Sequence, residues 1–174
     1  MLKLLKVDQV VKEKIKVDDY IPIKVVWKEL EEYPEPIINW RTGEIDNSFF
    51  EIGLSEATGM IRSLTLVSLK EISYSPIQNC TNIKEEEGTP VFYIKDKKND
   101  YVIDDFGMLK VQFYNGQLDI IFSDNNVKKR IISGRIYFYT DNDMNLCKIS
   151  ICSLTDQEKA QVEDTLNFTI NGPA

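Results

Sequence analysis

The pair Asn115-Gly116 is the sequence feature that most restricts the fold of this chain. It lies in the middle of the segment 109–122, in which apolar and polar side chains alternate on both sides of the pair. Asn-Gly readily adopts the two positive φ angles of a type I′ turn, which joins antiparallel strands through a two-residue loop. That loop creates one wholly apolar face, and so the sequence predicts a hairpin. The apolar pairs are Phe113 with Leu118, Val111 with Ile120, and Leu109 with Phe122.

The same alternation predicts two further hairpins. One spans 131–154, and the other joins 50–54 to 60–69 through a five-residue loop. A simple loop of that length would set Ile52 against Arg62, so a β-bulge is expected there. In the 131–154 hairpin, the opposed pairs are Phe138 with Ile149 and Ile136 with Ile151. Shorter strands are predicted at 22–28, 36–41 and 90–95.

A helix is predicted near the C-terminus. Thr155 and Glu158 form a capping-box pattern, and the helix should end near Leu166. Residues 1–20 fit a helix and a strand equally well. The expected fold is mainly β, or α+β by strict count. Antiparallel hairpins and a meander would form a sheet or a sandwich, with a short C-terminal helix.

The length and composition favour one domain, 1–174. With 174 residues, 43% of them hydrophobic, the chain can bury one substantial core. The alternative is two lobes, 1–72 and 91–174, joined by the polar loop 73–90, which contains the acidic run 85–87. Both lobes contain hairpins, but no matching residue pattern supports a duplication.

The chain contains no histidine. This excludes Ser-His-Asp and Cys-His catalysis and most catalytic zinc sites, and no glycine-rich phosphate-binding motif occurs. Among the carboxylates, including Glu44, Asp46 and Glu51, the sequence singles out no catalytic pair. We therefore predict no enzyme activity, no catalytic residue, no metal and no cofactor.

Two short motifs resemble functional sites only in part. Asp105-Phe106-Gly107 has the letters of the kinase magnesium motif, but the preceding 104 residues cannot hold the other kinase motifs. The stretch 141–145 resembles the start of a calcium loop, which requires glycine and glutamate where Leu146 and Cys152 stand. A hairpin turn explains 141–145 better, because Asp and Asn side chains bond nearby backbone amides.

The net charge of −7 and the pI of about 4.8 disfavour nucleic acid and anionic membranes as partners. The three cysteines have no CxxC spacing, which favours a reducing compartment, here the cytoplasm. The N-terminal segment has lysines at positions 3 and 6 and reads as neither a signal peptide nor a membrane span. A basic protein is therefore the expected partner, and the oligomeric state stays open.

One cluster suggests a partner-binding site, because aromatic anchors surrounded by charge are common at interfaces. The alternative is that its tryptophan lies in the core and its glutamates form a solvated edge. The cluster consists of Trp27, Glu29, Glu31, Glu32 and Tyr33.

Three functional hypotheses remain. The first is a non-enzymatic acidic protein-binding module, in concrete form a bacterial immunity-type or antitoxin-like inhibitor of a basic toxin. The second is a histidine-free small-ligand binder or carboxylate-dependent enzyme, with tyrosines lining a cavity. The third is an assembly subunit that pairs through a sheet edge. The tyrosines considered for the cavity are Tyr93, Tyr101, Tyr114, Tyr137 and Tyr139.

Overall fold

The computed structural model describes residues 1–17, 21–27, 35–44, 47–74, 83–94 and 101–171. These ranges contain fourteen strands and one helix, so the mainly β fold class with a C-terminal helix is confirmed. The elements are β1 (Leu4–Asp8), β2 (Lys14–Lys16), β3 (Ile23–Val26), β4 (Ile37–Gly43), β5 (Phe49–Ser55), β6 (Ile61–Ser68), β7 (Lys84–Glu87), β8 (Thr89–Phe92), β9 (Val102–Asp104), β10 (Lys110–Tyr114), β11 (Gln117–Ile121), β12 (Lys129–Ser133), β13 (Ile136–Thr140), β14 (Leu146–Ile151) and α1 (Asp156–Asn171).

Two six-stranded sheets pack face to face. The first has the order β2-β3-β6-β5-β4-β9 and the second the order β10-β11-β14-β13-β12-β7, while β1 and β8 form a separate pair. Aromatic rings join the two inner faces: the centroids of Trp40 and Phe122 lie 5.5 Å apart, and those of Trp27 and Phe138 lie 5.8 Å apart. Apolar side chains from both sheets form one buried cluster. The architecture is therefore a β-sandwich.

Five strands of each sheet repeat the same order and the same directions. Adding eight to each number of β2-β3-β6-β5-β4 gives β10-β11-β14-β13-β12, and all of these neighbours are antiparallel. Each sheet then gains one parallel edge strand, β9 beside β4 and β7 beside β12. Part of the predicted polar loop 73–90 is thus strand, because pairing with β12 supplies backbone partners to its acidic run.

The hairpin around Asn115-Gly116 is confirmed with its predicted register over residues 110–121, and the predicted pair of Leu109 with Phe122 lies just beyond the paired residues. Phe113 lies opposite Leu118, and the φ angles of Asn115 and Gly116 are 51° and 74°, as a type I′ turn requires. A side chain at Gly116 would also overlap the side chain of Lys159 in α1. Turn chemistry and the packing of the helix therefore both require glycine at this position.

The second predicted hairpin contains an additional turn. Phe138 lies opposite Ile149 as expected, but the chain reverses at Gly134, which has a φ of 61°. Strand β12 is consequently a separate strand, and Ile131 is buried while Ile132 is half-buried on the outer face. The sequence alternation predicts that Ile132 shares a face with Ile136 and Phe138, and this placement of Ile132 is wrong because the turn at Gly134 separates it from them.

The bulge predicted in the third hairpin is present. Ile52 lies opposite Leu64 and Leu54 opposite Ile61, so the register shifts around Arg62. The shift keeps apolar side chains together on the inner face. The shorter predicted strands correspond to β3, β4 and β8, with residues 28 and 95 outside the described ranges.

The capping box at the start of α1 is confirmed. The amide of Glu158 donates to Thr155 Oγ1 at 3.2 Å, and the amide of Thr155 donates to Glu158 Oε2 at 2.8 Å. The helix continues to Asn171, beyond the predicted end near Leu166, and Val162 reaches the core. Residues 1–20, whose sequence fits a helix and a strand equally well, contain the strands β1 and β2.

Within the described ranges, no helix has both the length and the apolar character needed to cross a bilayer.

Candidate protein-binding surface

A cleft of about 400 Å³ opens where the first sheet meets the edge of the second. Its walls come from Gly43 and Glu44 at the end of β4, from Asn47 and Ser48 just before β5, and from residues in the segments 71–73 and 107–112. This volume is within the usual range for binding pockets, although much of its lining is polar. We call it the acidic cleft, for the carboxylates described below.

Backbone contacts fix the shape of the acidic cleft. Gly43 has a φ of 87°, and a Cβ there would overlap the carbonyl oxygen of Ser48. On the opposite wall, the amide of Ser73 donates to the carbonyl of Val111 at 3.0 Å, and the amide of Phe113 donates to that of Ser73 at 2.8 Å. These bonds cover the free edge of β10. The cleft is therefore formed by ordered backbone on both sides.

Two exposed carboxylates give the cleft its charge. Glu44 and Glu71 both line it and form no ion pair within the described part of the chain. Lys110 is the cation of the lining, and its Nζ lies 3.2 Å from a carboxylate oxygen of Asp124. Because Asp124 offsets this lysine, the charge left at the cleft is negative.

Exposed apolar side chains lie beside the cleft, along the edge strand β9. Phe106 precedes the lining residue Gly107 and is 83% exposed, and Tyr101 at the other end of β9 is 66% exposed. Val102 is also exposed. We call Tyr101, Val102 and Phe106 the β9 patch. Large apolar groups that remain in water beside a charged cleft are typical of protein interfaces.

The outer face of the second sheet carries a buried polar network. Lys148 Nζ lies 2.8 Å from Asp119 Oδ2 and 4.4 Å from the centre of the Tyr139 ring, and Gln117 Nε2 donates to Asp119 Oδ1 at 2.8 Å. The ammonium group is thus held between a carboxylate and an aromatic face. The charged groups of Lys148 and Asp119 are therefore both bound to partners within the sheet.

Both cysteines of the second sheet are buried free thiols. Burial, together with the negative charge of Asp119, raises the pKa of Cys152 to about 11. Burial also raises the pKa of Cys147. Because the thiolate is the reactive form, neither residue is a nucleophile at neutral pH. Cys80 lies outside the described residues.

The stretch 141–145 is the predicted hairpin turn. Asp141 Oδ1 accepts hydrogen bonds from the amides of Asp143 and Asn145, while Oδ2 accepts from the side chains of Asn125 and Asn145. Burial raises the pKa of Asp141, but these hydrogen bonds outweigh it and lower the pKa below its usual value. In the described ranges, no three potential metal ligands cluster.

Of the five residues of the predicted binding cluster, the structure describes only Trp27. Trp27 is 3% exposed, and its Nε1 donates to Ser133 Oγ at 2.8 Å, so this indole lies in the core. The remaining members lie outside the described residues, and the cluster as a whole stays a prediction. These members are Glu29, Glu31, Glu32 and Tyr33.

The structure does not gather the five tyrosines around the cleft, since none of them lines it. Of the carboxylates considered in sequence, Glu44 lines the cleft, Glu51 lies on the outer face of the first sheet, and Asp46 falls outside the described ranges. Glu71 and the β9 patch were not predicted as a site. The one available signal was Phe106, a large aromatic residue in a polar, turn-forming segment.

Comparison with known proteins gives no family: no family model matches the sequence, and no curated protein matches it significantly.

Proposed function

We propose that this protein is a non-enzymatic protein-binding module that holds a basic partner through the acidic cleft and the β9 patch. The observation that carries the proposal is their adjacency. Two carboxylates without an intramolecular ion pair in the described residues, Glu44 and Glu71, lie beside the highly exposed Phe106. Aromatic groups supply most of the energy of many interfaces, and surrounding charge speeds association with an oppositely charged partner.

The net charge of the chain supports the same partner chemistry. At −7, the protein attracts a basic surface over a distance set by the ionic strength, about 8 Å at physiological salt. A cleft lined by two carboxylates focuses this attraction where a lysine or arginine of the partner can enter. Binding should therefore weaken as salt is added, mainly through a slower association rate.

In its concrete form, the proposal is a bacterial immunity-type or antitoxin-like inhibitor that neutralises a basic toxin. Such an inhibitor needs only a complementary surface on a stable scaffold, and it needs no catalytic group. A cytoplasmic location belongs to the same proposal and is supported by the free thiols of Cys147 and Cys152, which suit a reducing compartment.

Charge reversal in the cleft tests the proposal. The full-length protein would be titrated with the purified products of its neighbouring genes, and the variant E44K/E71K compared with E87K/E163K. The control pair changes the net charge equally at exposed sites outside the cleft lining. Because Glu44 and Glu71 would contact basic residues of the partner, E44K/E71K should weaken binding about 30-fold or more. The control pair, which changes only the overall charge, should weaken binding about threefold.

Three results would reject the proposed function. One is equal weakening by both double variants, which would show that only the total charge matters. Another is a partner that is itself acidic. The third is that no neighbouring gene product binds at micromolar concentration.

A further inference from the structure

We propose that the partner adds an extended basic segment to β9 as a seventh strand of the first sheet; this rests on the proposed function and names its binding mode. Addition of a strand to a sheet edge is a common form of peptide recognition, in which backbone hydrogen bonds supply affinity. The inference comes from a difference between β9 and the other outer edges of the two six-stranded sheets, β2, β7 and β10.

The other three outer edges of the two six-stranded sheets carry features that prevent strand addition. Strand β2 places exposed Lys14 and Lys16 on either side of Ile15, and all four residues of β7 (Lys84–Glu87) are exposed and charged. The edge of β10 is covered by Ser73, which hydrogen-bonds to Val111 and Phe113. Charged residues and covering segments are the usual protection of sheet edges.

Among the described residues, no such protection is found at strand β9. Its described neighbours include exposed Tyr101 and Phe106 at its two ends, and Val102 within it is also exposed. Its one acidic residue, Asp104, is paired with Arg41 at 2.8 Å and so is partly neutralised. An edge that presents apolar and aromatic groups is the edge on which a further strand gains most.

In the part of the chain that the structure describes, no hydrogen bond engages the outward backbone groups of β9. The carbonyl of Tyr101 accepts from the amide of Asn39, and the amide of Asp105 donates to the carbonyl of Arg41. Because backbone groups alternate in direction along a strand, those of Val102 and Asp104 point away from β4. Among the described strands, β9 pairs with β4 alone.

Charge selects the occupant. Each copy of this chain carries a net charge of −7, so a second copy would be repelled, whereas a basic segment would be attracted. Lysines of that segment can reach Glu44 in the adjacent cleft while its apolar residues cover Val102 and Phe106. A sequence in which lysine and an apolar β-branched residue alternate satisfies both requirements.

The experiment uses the full chain and a fluorescent acetyl-(Lys-Val)4-amide peptide, with binding measured by anisotropy. V102P removes an outward amide from the edge, where proline is tolerated, and V102A keeps that amide. We expect V102P to bind about tenfold more weakly than V102A, with V102A within about twofold of the native chain. Hydrogen exchange at Val102 and Asp104 should slow when the peptide binds.

A second probe covers the case in which V102P does not fold. A peptide with N-methylated valines cannot donate backbone hydrogen bonds from those residues, and it should bind the native chain about tenfold more weakly than the parent. The inference is overturned if the parent peptide does not bind, if N-methylation has no effect, if a (Glu-Val)4 peptide binds equally well, or if the chain dimerises through β9 instead.

The two proposals can fail separately. If E44K/E71K abolishes binding of the natural partner while V102P leaves it unchanged, the acidic surface is supported and strand addition is rejected. If V102P weakens binding of the peptide but E44K/E71K does not affect the natural partner, the edge accepts strands and the proposed function is rejected.

Discussion

Replacement of Lys148 by methionine tests how strongly the fold depends on the ion pair buried on the outer face of the second sheet. The side chains of Lys148 and Asp119 are 11% and 1% exposed, and their charged atoms lie 2.8 Å apart. Without the ammonium group, Asp119 keeps one side-chain donor, Gln117 Nε2. The carboxylate of Asp119 would then be buried away from water and without the positive charge that offsets its own.

The expected cost of K148M is about 3–5 kcal/mol of unfolding free energy, the range for breaking a buried pair on one side. Removing both charges should cost far less, because no uncompensated charge remains. The double variant K148M/D119L should therefore return to within about 1–2 kcal/mol of the native chain. This contrast identifies the desolvated carboxylate as the cause, separately from the loss of packing.

Urea unfolding followed by tryptophan fluorescence provides the assay, because Trp27 and Trp40 are both buried and report on the shared core. K110M is the matched control: Lys110 also pairs with an aspartate, Asp124, but these side chains are 55% and 75% exposed. Its loss should cost under about 1 kcal/mol. The reasoning is refuted if K148M costs no more than K110M, or if the double variant is less stable than K148M.

Three further changes can be measured in the same way. D141A removes an acceptor of four hydrogen bonds and should cost about 2–3 kcal/mol. The pKa of Asp141 in the folded protein lies below its ordinary value of 3.8. The stability that Asp141 contributes is therefore present above pH 3.8 and is lost as the pH falls through the folded pKa. In D141A, unfolding free energy should consequently depend less on pH in the acid range. G116A should cost about 1–2 kcal/mol, since alanine disfavours a φ of 74° and would meet Lys159; an unchanged midpoint would contradict this. T155A removes the cap that bonds Glu158 and should cost about 1 kcal/mol, with a loss of helical circular dichroism; T155S is its control.

Features with a local cause were predictable from the sequence. The turn at Asn115-Gly116 needs only two residues that accept positive φ, and the capping box needs only Thr155 and Glu158 three residues apart. The bulge near Arg62 was also predictable, because a regular register would have placed a charged residue opposite Ile52 on the apolar face. In each case, the residues that decide the structure are close together in the chain.

Features that depend on distant pairing were not predictable. The run 85–87 is polar and reads as a solvated loop, yet parallel pairing with β12 makes it a strand, with Glu85 bound to Arg130. Gly134 gave too weak a signal to divide 131–140 into two strands. The repeated strand order was missed for the same reason, because the order is recorded in backbone pairing and not in matching residues.

The candidate site shows the same limit. Glu44 and Glu71 are distant in sequence, and they line one cleft only because the segment 71–73 pairs with β10 while Gly43 brings the end of β4 against Ser48. Phe106 lies in a short polar segment of the sequence, Asp104-Asp105-Phe106-Gly107, which is typical of a turn. Its 83% exposure follows from the position of β9 at a sheet edge, which no local pattern specifies.

Strand β9 has only three residues, so its suitability as a docking edge depends on how it is held. The guanidinium of Arg41 binds Asp104 through two hydrogen bonds, Nε to Oδ1 at 2.9 Å and Nη2 to Oδ2 at 3.1 Å, and Trp40 Nε1 donates to Asp105 at 3.2 Å. An exposed ion pair adds little to global stability, but a bidentate one fixes direction. Preorganisation lowers the entropy lost on binding, so a short edge held by these contacts can accept a strand that a loose segment of equal length could not. In the second sheet, an arginine of β12 likewise pairs with the parallel edge strand, Arg130 with Glu85 of β7, but through a single contact, and all four residues of β7 are exposed and charged. We therefore expect β9, and not β7, to accept a further strand.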